Sequence, residues 1–364
     1  MFMDGEVVYL FVYDVGAKFT EEQLKGLLKN PEDFSKYEYK KPTPEEIVSI
    51  SIPFIFNLRE ETFESKKEAL KFKVQCAIYA TGSYSIRVRH HFSDADADFL
   101  KRLAFDPSIW EFVLKAQQKA KAKVEESLSK ISPLTPSRQN EIYNFYYIEG
   151  EKDDVVKKHQ ALITGMLIDE PNPEALEASY AAEVLKRKLS YTTSEVTYVG
   201  WESAVRIDRT KSYEYEVLLA EIANVQLLEL RINHDSISKK IAATDVMMTQ
   251  LFKPRRFSRG VDLRKINLML GELYDSTKDT ITAVNDTIYG FGDWYLVKLY
   301  GQFNDVFQLD EWRAYLDGDL QTVEQRRVFV SEIIGSNQAR FLELIVILLI
   351  LIEVLLEVLY LLRI

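Results

Sequence analysis

The chain has 364 residues, of which 47% are hydrophobic and 28% charged, a composition typical of globular proteins. Its formal net charge is -10. This excludes a large nucleic-acid face, because phosphate binding needs a basic surface, and we expect no DNA partner. The single cysteine, Cys76, excludes an internal disulfide.

The N-terminal region predicts the start of a folded body rather than a targeting segment. Residues 1–6 carry no basic stretch before an apolar core, which argues against a secretory signal or transit peptide. Residues 7–13 predict a first strand. Thr20 followed by Gln23 is typical of a capping box, so we expect a helix to begin there. The body is therefore expected to face the cytoplasm.

Further elements predict a mixed α/β body over residues 1–210. A β-hairpin is predicted from 69–80 and 83–92, which Thr81 and Gly82 separate. Asp106 and Pro107 are typical of a helix start. The remaining predictions are a strand at 47–58 that Pro53 demotes to an edge or bulge, a helix from 107 to 129, a strand at 142–148, a helix at 173–188, and a strand at 195–207 containing Trp201.

Residues 211–340 predict long helices that form a coiled-coil-like helical hairpin. Helical patterns occupy 213–250, 263–288 and 316–344, and the last two repeat apolar residues at alternating spacings of three and four. Arg327 and Asn337 are polar residues at seam positions, where they would fix the register of this stalk. An ordinary helical bundle core is the alternative interpretation.

The last segment, 341–364, predicts one C-terminal transmembrane helix. Residues 344–362 are apolar except for two glutamates, and as a helix they span roughly 28 Å, close to the hydrocarbon thickness. Glu343, Glu353 and Glu357 fall within about 80° of one another around a helix. We expect this acidic stripe to be the face on which copies pack together. A buried helix in an oligomer core is the alternative.

Three stretches together resemble a known family. They are Tyr9–Ala17, Ala223–Arg231 and Phe341–Val354. The chain resembles, over nearly its whole length, the family of unknown function typified by the required-for-meiotic-nuclear-division and Sad1-interacting-factor proteins. The resemblance implies an α/β body, long helices and a membrane helix, with homo-oligomers that support mitochondrial translation. It implies no catalytic residues. Without a transit peptide, the chain is expected to be a prokaryotic or archaeal member.

The residues show no catalytic signature, so we expect no catalytic, cofactor-binding or metal-binding residues. His90 and His91 lie on opposite faces of a strand, and Asp94, Asp96 and Asp98 are typical of a helix start. One basic loop could meet anionic lipid headgroups or RNA phosphates. Its cations are Lys253, Arg255, Arg256 and Arg259. The alternative is a solvated loop.

These observations predict an α+β protein, anchored in a membrane by a single pass, that acts as a non-enzymatic homo-oligomeric scaffold. Its expected partners are further copies of itself, the lipid bilayer, and the ribosome or other membrane proteins. It could support translation or envelope machinery. The alternatives are an enzyme at the membrane surface and an RNA- or ribosome-contacting module that uses the loop at 253–259.

Overall fold

The computed structural model describes residues 3–27, 35–36, 53–64, 69–211, 213–251, 263–288 and 293–361. The strands are β1 (Met3–Asp14), β2 (Ser35–Lys36), β3 (Phe54–Glu64), β4 (Ala69–Ile78), β5 (Ser83–Ala95), β6 (Glu141–Glu149), β7 (Lys188–Leu189), β8 (Val196–Val199) and β9 (Ser203–Asp208). The helices are α1 (Glu21–Leu27), α2 (Ala97–Phe105), α3 (Pro107–Ser129), α4 (Lys152–Ile168), α5 (Ala178–Val184), α6 (Glu214–Leu251), α7 (Leu263–Ile288), α8 (Trp294–Phe307) and α9 (Leu309–Leu361).

Within the described ranges the strands form one mixed sheet in the order β2-β3-β4-β5-β1-β6-β9-β8-β7. Neighbouring strands pair antiparallel except β6 and β9, which run parallel. Side chains alternate across the sheet, so β1 serves both faces. Its residues Val7, Tyr9 and Phe11 join the core that α3 and α4 cover. The opposite face meets α6, since Arg87 of β5 pairs with Glu221.

Local signals at helix starts are confirmed. The Thr20 backbone N–H donates to Gln23 Oε1 at 2.8 Å, and the Gln23 N–H donates to Thr20 Oγ1 at 3.2 Å. This is the reciprocal bonding of a capping box. Asp106 is the N-cap of α3, which begins at Pro107, and its carboxylate accepts a hydrogen bond from the Ser108 backbone N–H. Asp96 caps α2 in the same way, which is the ordinary role expected for that acidic run.

Two predicted elements differ from the structure, since each is divided into two shorter elements. The helix expected at 173–188 is a 3-10 turn at Pro173–Ala175 followed by the short α5. The strand expected at 195–207 is the β8–β9 hairpin, and Trp201 lies in its turn. Glycine is needed at position 200 of this turn, because a Cβ there would lie 2.3 Å from the Leu167 carbonyl oxygen. The chain must reverse where α4 approaches it this closely.

The chain divides into two compact units. Unit 1 comprises 1–232 and 282–313, and unit 2 comprises 233–281 and 314–364. The limits predicted from the sequence lie at 210 and 340. Unit 2 contains most of α7 and parts of α6 and α9, and the three-four stripes of α7 and α9 supply most of its buried apolar residues. They are Ile266, Leu270, Leu273, Leu316, Val323 and Val330. Leu316, Val323 and Val330 of the α9 stripe are therefore buried within the chain.

The predicted C-terminal transmembrane helix is wrong, and with it the single-pass membrane localisation. In the part of the chain that the structure describes, no helix combines the length and the apolarity needed to cross a membrane. α9 is one long helix, but Glu343, Glu353 and Glu357 interrupt its apolar run. The uninterrupted run 344–352 rises only about 14 Å, against roughly 30 Å of hydrocarbon.

Candidate functional site

A pocket of about 550 Å³ opens in unit 1 beside β1, β5 and the start of α6. We call it the sheet pocket. The residues that define it are Glu6, Arg89, His91, Tyr147, Tyr213 and Glu214. Its volume lies within the range of small-molecule sites. All of the residues that line it belong to unit 1, so the site is formed within one compact unit.

Strand register brings the polar groups of the pocket together. Arg87, Arg89 and His91 are alternate residues of β5 and therefore share the face that α6 covers. Glu6 of β1 lies directly opposite His91 in the antiparallel pairing. Glu214 is the first residue of α6. Three elements that are distant in sequence thus meet at one point of the sheet.

Arg89 is the centre of an ion-pair chain between Glu6 and Glu214. Its Nε donates to Glu6 Oε1 at 3.1 Å and its Nη2 to Glu6 Oε2 at 2.6 Å. Nη2 also donates to Glu214 Oε1 at 2.6 Å, and Nη1 donates to Glu214 Oε2 at 3.1 Å. A further bond runs from Nη1 to Gln75 Oε1 at 3.2 Å. All five N–H groups of this guanidinium are therefore engaged.

Glu6 is an ionised carboxylate that is fully buried. Burial alone would raise its pKa, but the charge of Arg89 and the hydrogen bonds from His91 and Arg89 lower the pKa to about 2. His91 Nε2 lies 2.8 Å from Glu6 Oε1, while 60% of the His91 side chain is exposed. The Tyr213 hydroxyl also hydrogen-bonds Glu6. Glu6 thus orients an imidazole and a phenol at the pocket wall.

Aromatic rings form another part of the pocket wall. Tyr147 and Tyr213 stack with their centroids 4.1 Å apart and an interplanar angle of 15°. The Tyr147 hydroxyl donates to the Asp208 carbonyl oxygen at 2.9 Å. Phe92 and Tyr215 also line the pocket. The wall therefore combines carboxylates with aromatic surface.

A second buried charge cluster joins β9 to α6 and α8. Arg206 Nη2 lies 2.6 Å from Glu195 and 2.8 Å from Asp208, and Nη1 lies 3.1 Å from Glu216. The Tyr295 hydroxyl of α8 interacts with the same guanidinium. Burial raises the pKa of Glu216 to about 7, with Arg206 opposing the shift. One guanidinium thus faces three carboxylates, and one of these carboxylates titrates near neutrality.

The sites predicted from sequence have different outcomes. Lys253, Arg255, Arg256 and Arg259 lie outside the described residues. Glu343, Glu353 and Glu357 are exposed on α9, as are Arg327 and Asn337. Arg326, next to Arg327, instead donates to the Ile241 carbonyl oxygen of α6 at 3.1 Å within unit 2. The predicted roles in oligomer packing and register remain predictions.

The C-terminal part of α9 presents a long exposed apolar surface. Every residue from 335 to 358 is exposed. The large apolar side chains among them run from Phe341 to Val358, interrupted by Glu343, Glu353 and Glu357. Globular monomers rarely expose continuous apolar patches beyond a few hundred Å². This surface is therefore a candidate interaction site.

The predicted absence of metal ligands was argued from the histidines and from the aspartates at 94–98. His90 is buried with Nδ1 2.8 Å from the Lys71 carbonyl oxygen, whereas His91 faces the sheet pocket. Among the residues the structure describes, no three His, Cys, Asp or Glu side chains are grouped so that they could hold a metal ion.

The sequence analysis missed the residues of the sheet pocket. One signal was available, since Arg87 and Arg89 flank Val88 and place two charges on one face of the predicted strand. Such residues indicate buried partners or a site. The partners Glu6, Glu214 and Glu221 lie far away in sequence, and a single chain without its fold gives no means of pairing them.

Fold and site together define a mixed-sheet α+β protein with a ligand-sized pocket on the face that its long helix covers. The chain belongs to the family described as "Uncharacterized protein MJ0711, N-terminal domain", whose model matches residues 4–214. The match contains all pocket residues that define the site. It supports an uncharacterised family, and it does not support the narrower link to the meiotic-nuclear-division and Sad1-interacting-factor proteins.

A similar protein is "Uncharacterized protein MJ0711" of Methanocaldococcus jannaschii. It is 23% identical over 224 residues, which cover 60% of this chain and 64% of the relative. The chain thus matches somewhat less than two thirds of the length of this archaeal relative. No solved structure matches the chain.

Proposed function

We propose that this protein is a homo-oligomeric scaffold whose copies assemble through the exposed end of α9. The observation that carries the proposal is the exposure of every residue from 335 to 358 in a helix rich in leucine and isoleucine. A helix that is apolar on most sides is stable only when its apolar faces are covered. Further copies of the same helix are chemically matched to cover it.

The spacing along α9 supports self-association. The three-four stripe of the buried part continues beyond it through Asn337 and Phe341. We call the continuation the α9 seam: Asn337, Phe341, Leu344, Leu348, Leu351, Leu355 and Val358. All seven are exposed. This spacing is the repeat of a coiled coil, with Asn337 as a polar seam residue of the kind that sets register.

The glutamates support the same arrangement. At 100° per residue, the centre of the Glu343, Glu353 and Glu357 stripe lies about 150° from the centre of the α9 seam. Packing the α9 seam between copies would therefore leave the carboxylates facing water. The α9 seam thus replaces the acidic stripe as the proposed packing face, because burying an ionised carboxylate against leucine costs free energy that exposure to water does not. The acidic stripe thus becomes the outer face of the assembly.

Burial of the α9 seam supplies free energy of the size that association costs. Burying a leucine, isoleucine or valine fully contributes about 1.5–3 kcal/mol, and half-exposed side chains gain roughly half of this. The seam has four leucines and one valine in each copy, ten side chains in a pair of copies. On this basis they give roughly 8–15 kcal/mol, within the roughly 4–15 kcal/mol range estimated for the cost of association. Each added copy covers further apolar surface. A compact bundle of several copies is therefore favoured over a dimer.

The test is the mass of the full chain in solution by light scattering or sedimentation. We expect the wild type to be an oligomer. Changing Leu348→Glu and Leu355→Glu together should reduce it to a monomer, because four or more charges would meet inside the seam. The matched control is Val346→Glu with Ile350→Glu, which places the same substitutions on the acidic stripe. It should leave the oligomer intact.

Two results would contradict the proposal. One is a wild-type chain that stays monomeric at micromolar concentration. The other is an equal loss of mass in both double variants, which would indicate non-specific association of apolar surface rather than a seam. Support of translation or envelope machinery by such an assembly is a further proposal, which a pull-down of the intact oligomer would test.

A further inference from the structure

We propose that the sheet pocket binds a small organic cation, an aliphatic amine with one or more ammonium groups. This inference concerns unit 1 and is independent of assembly through α9. It rests on the pocket's volume, on its surplus of hydrogen-bond acceptors, on its charge and on its aromatic wall. A pocket of about 550 Å³ is large enough for a ligand of several carbon atoms.

The arginine in the pocket cannot recognise an anion. All five N–H groups of Arg89 are used by Glu6, Glu214 and Gln75. An arriving carboxylate or phosphate would have to displace the contact with buried Glu6 or the contact with partly exposed Glu214. The other cations are paired as well, since Lys211 lies 2.9 Å from Glu149 and Lys73 lies 4.0 Å from Glu60. The strong donors at the wall are thus already engaged.

The pocket carries a surplus of negative charge. Its carboxylates are Asp4, Glu6, Glu60, Glu149 and Glu214, and its permanent cations are Lys73, Arg89 and Lys211. Five anions against three cations leave a net charge of -2, without counting His91. A concave surface with one prevailing sign of charge raises the local concentration of the opposite ion. The field in the pocket therefore favours a cation.

The wall favours an organic cation over a metal ion. The stacked Tyr147 and Tyr213 rings and Phe92 back the pocket wall as buried side chains, and the partly exposed Tyr215 adds aromatic surface. Ammonium groups and their methylene chains pack on aromatic rings, whereas metal ions need converging oxygen or nitrogen ligands. No cluster suited to a metal occurs in the described part of the chain. Aromatic surface beside carboxylates is the chemistry that recognises alkylammonium groups.

His91 adds a directed acceptor. Its Nε2 faces Glu6 Oε1 at 2.8 Å, so Nε2 carries a hydrogen, and in the neutral form of the ring Nδ1 is an acceptor. Most of this side chain is exposed at the pocket. An ammonium N–H can donate to Nδ1 while its charge remains close to Glu6. We therefore assign His91 as a contact of the bound amine.

The experiment is a titration of the full chain with 1,4-diaminobutane, followed by calorimetry or by chemical shifts of the His91 ring. Butanoate and magnesium chloride serve as the anionic and metallic comparison ligands. We expect saturable binding of the diamine, no binding of butanoate, and weaker competition from magnesium at equal concentration. Absence of diamine binding, or tighter binding of butanoate or magnesium, would overturn the proposal.

A pair of matched variants locates the site. Glu60→Gln with Glu149→Gln removes two carboxylates at the pocket, and we expect at least a tenfold rise in the dissociation constant for the diamine. Glu111→Gln with Glu126→Gln removes two exposed, lysine-paired carboxylates from α3, with the same change in net charge. We expect this control to bind like the wild type. Equal weakening in both would mean that the amine responds only to overall charge.

His91→Gln tests the directed contact separately. Glutamine keeps a hydrogen-bonding group but cannot offer the same ring nitrogen, so binding of the diamine should weaken several-fold while the fold is retained. Unchanged affinity in a folded His91→Gln protein would refute the assignment of His91. The oligomer mass of each variant should equal that of the wild type, which keeps this test distinct from that of the α9 seam.

Discussion

Glu216 should make unit 1 less stable as the pH rises through neutrality. Its carboxylate is buried against Arg206, 3.1 Å away, and burial raises its pKa from the ordinary 4.5 to about 7. Between about pH 4.5 and pH 7 the Glu216 carboxyl is therefore protonated in the folded state and ionised in the unfolded state. Stability from this group is complete below about pH 4.5 and falls as the pH rises to about 7. At 1.36 kcal/mol per pKa unit, the shift corresponds to about 3 kcal/mol.

The assay is urea unfolding at pH 5 and pH 8, followed by tryptophan fluorescence. All four tryptophans, Trp110, Trp201, Trp294 and Trp312, lie in unit 1, so the signal reports on that unit alone. Between pH 5 and pH 8 the free energy of unfolding of the wild type should fall by about 2.5 kcal/mol more than that of Glu216→Gln, since part of the full contribution is already lost at pH 5. The neutral amide has no proton to release.

Asp208→Asn is the matched control for the same guanidinium. Burial alone would raise the pKa of Asp208, but hydrogen bonds from Thr210 and the charge of Arg206 lower it below 3.8, so this group does not titrate between pH 5 and 8. The control should destabilise unit 1 yet retain most of the wild-type pH dependence. If Glu216→Gln and the wild type lose equal stability between pH 5 and 8, the protonation of Glu216 in the folded state is refuted.

Two further predictions concern the stability of unit 1, measured by the same fluorescence assay. Glu6→Gln should lower the free energy of unfolding at pH 7 by about 3 kcal/mol, since the pKa of Glu6 is lowered from 4.5 to about 2. That contribution should vanish as the pH falls from 4.5 towards 2, and equal acid sensitivity of variant and wild type would contradict it. Gly82→Ala should cost about 1–3 kcal/mol, because Gly82 has φ +105° and a Cβ there would lie 2.1 Å from the Ala17 carbonyl oxygen. Gly26→Ala, in open space on α1, should be neutral or stabilising, and similar losses in both would refute the steric argument.

Features that depend on neighbours in sequence could be predicted. The Thr20–Gln23 capping box and the Asp106–Pro107 helix start need only a few consecutive residues, and the structure contains both. The β4–β5 hairpin around Gly82 also follows from local turn chemistry. Each of these elements satisfies its own backbone groups and therefore leaves a short-range signal in the sequence.

Features that depend on distant residues could not be predicted. The close approach of the Leu167 carbonyl oxygen requires a glycine at position 200. The ion pair of Arg89 with Glu214 spans 125 positions. The anchor prediction failed for a different reason. It weighed the leucine and isoleucine content of the last segment against its glutamates, and the glutamates divide α9 into apolar runs too short to span a membrane.

The position of β1 in the sheet has a consequence for how the protein folds. This strand is made early, yet it pairs with β5 on one side and β6 on the other, so both its neighbours are synthesised later. Until residue 149 has emerged from the ribosome, one edge of β1, which is apolar from Val7 to Tyr13, stays open. Such long-range pairing folds slowly and leaves an aggregation-prone strand exposed. A nascent chain stalled before β6 should therefore recruit a holding chaperone, and release it once the central strand is enclosed.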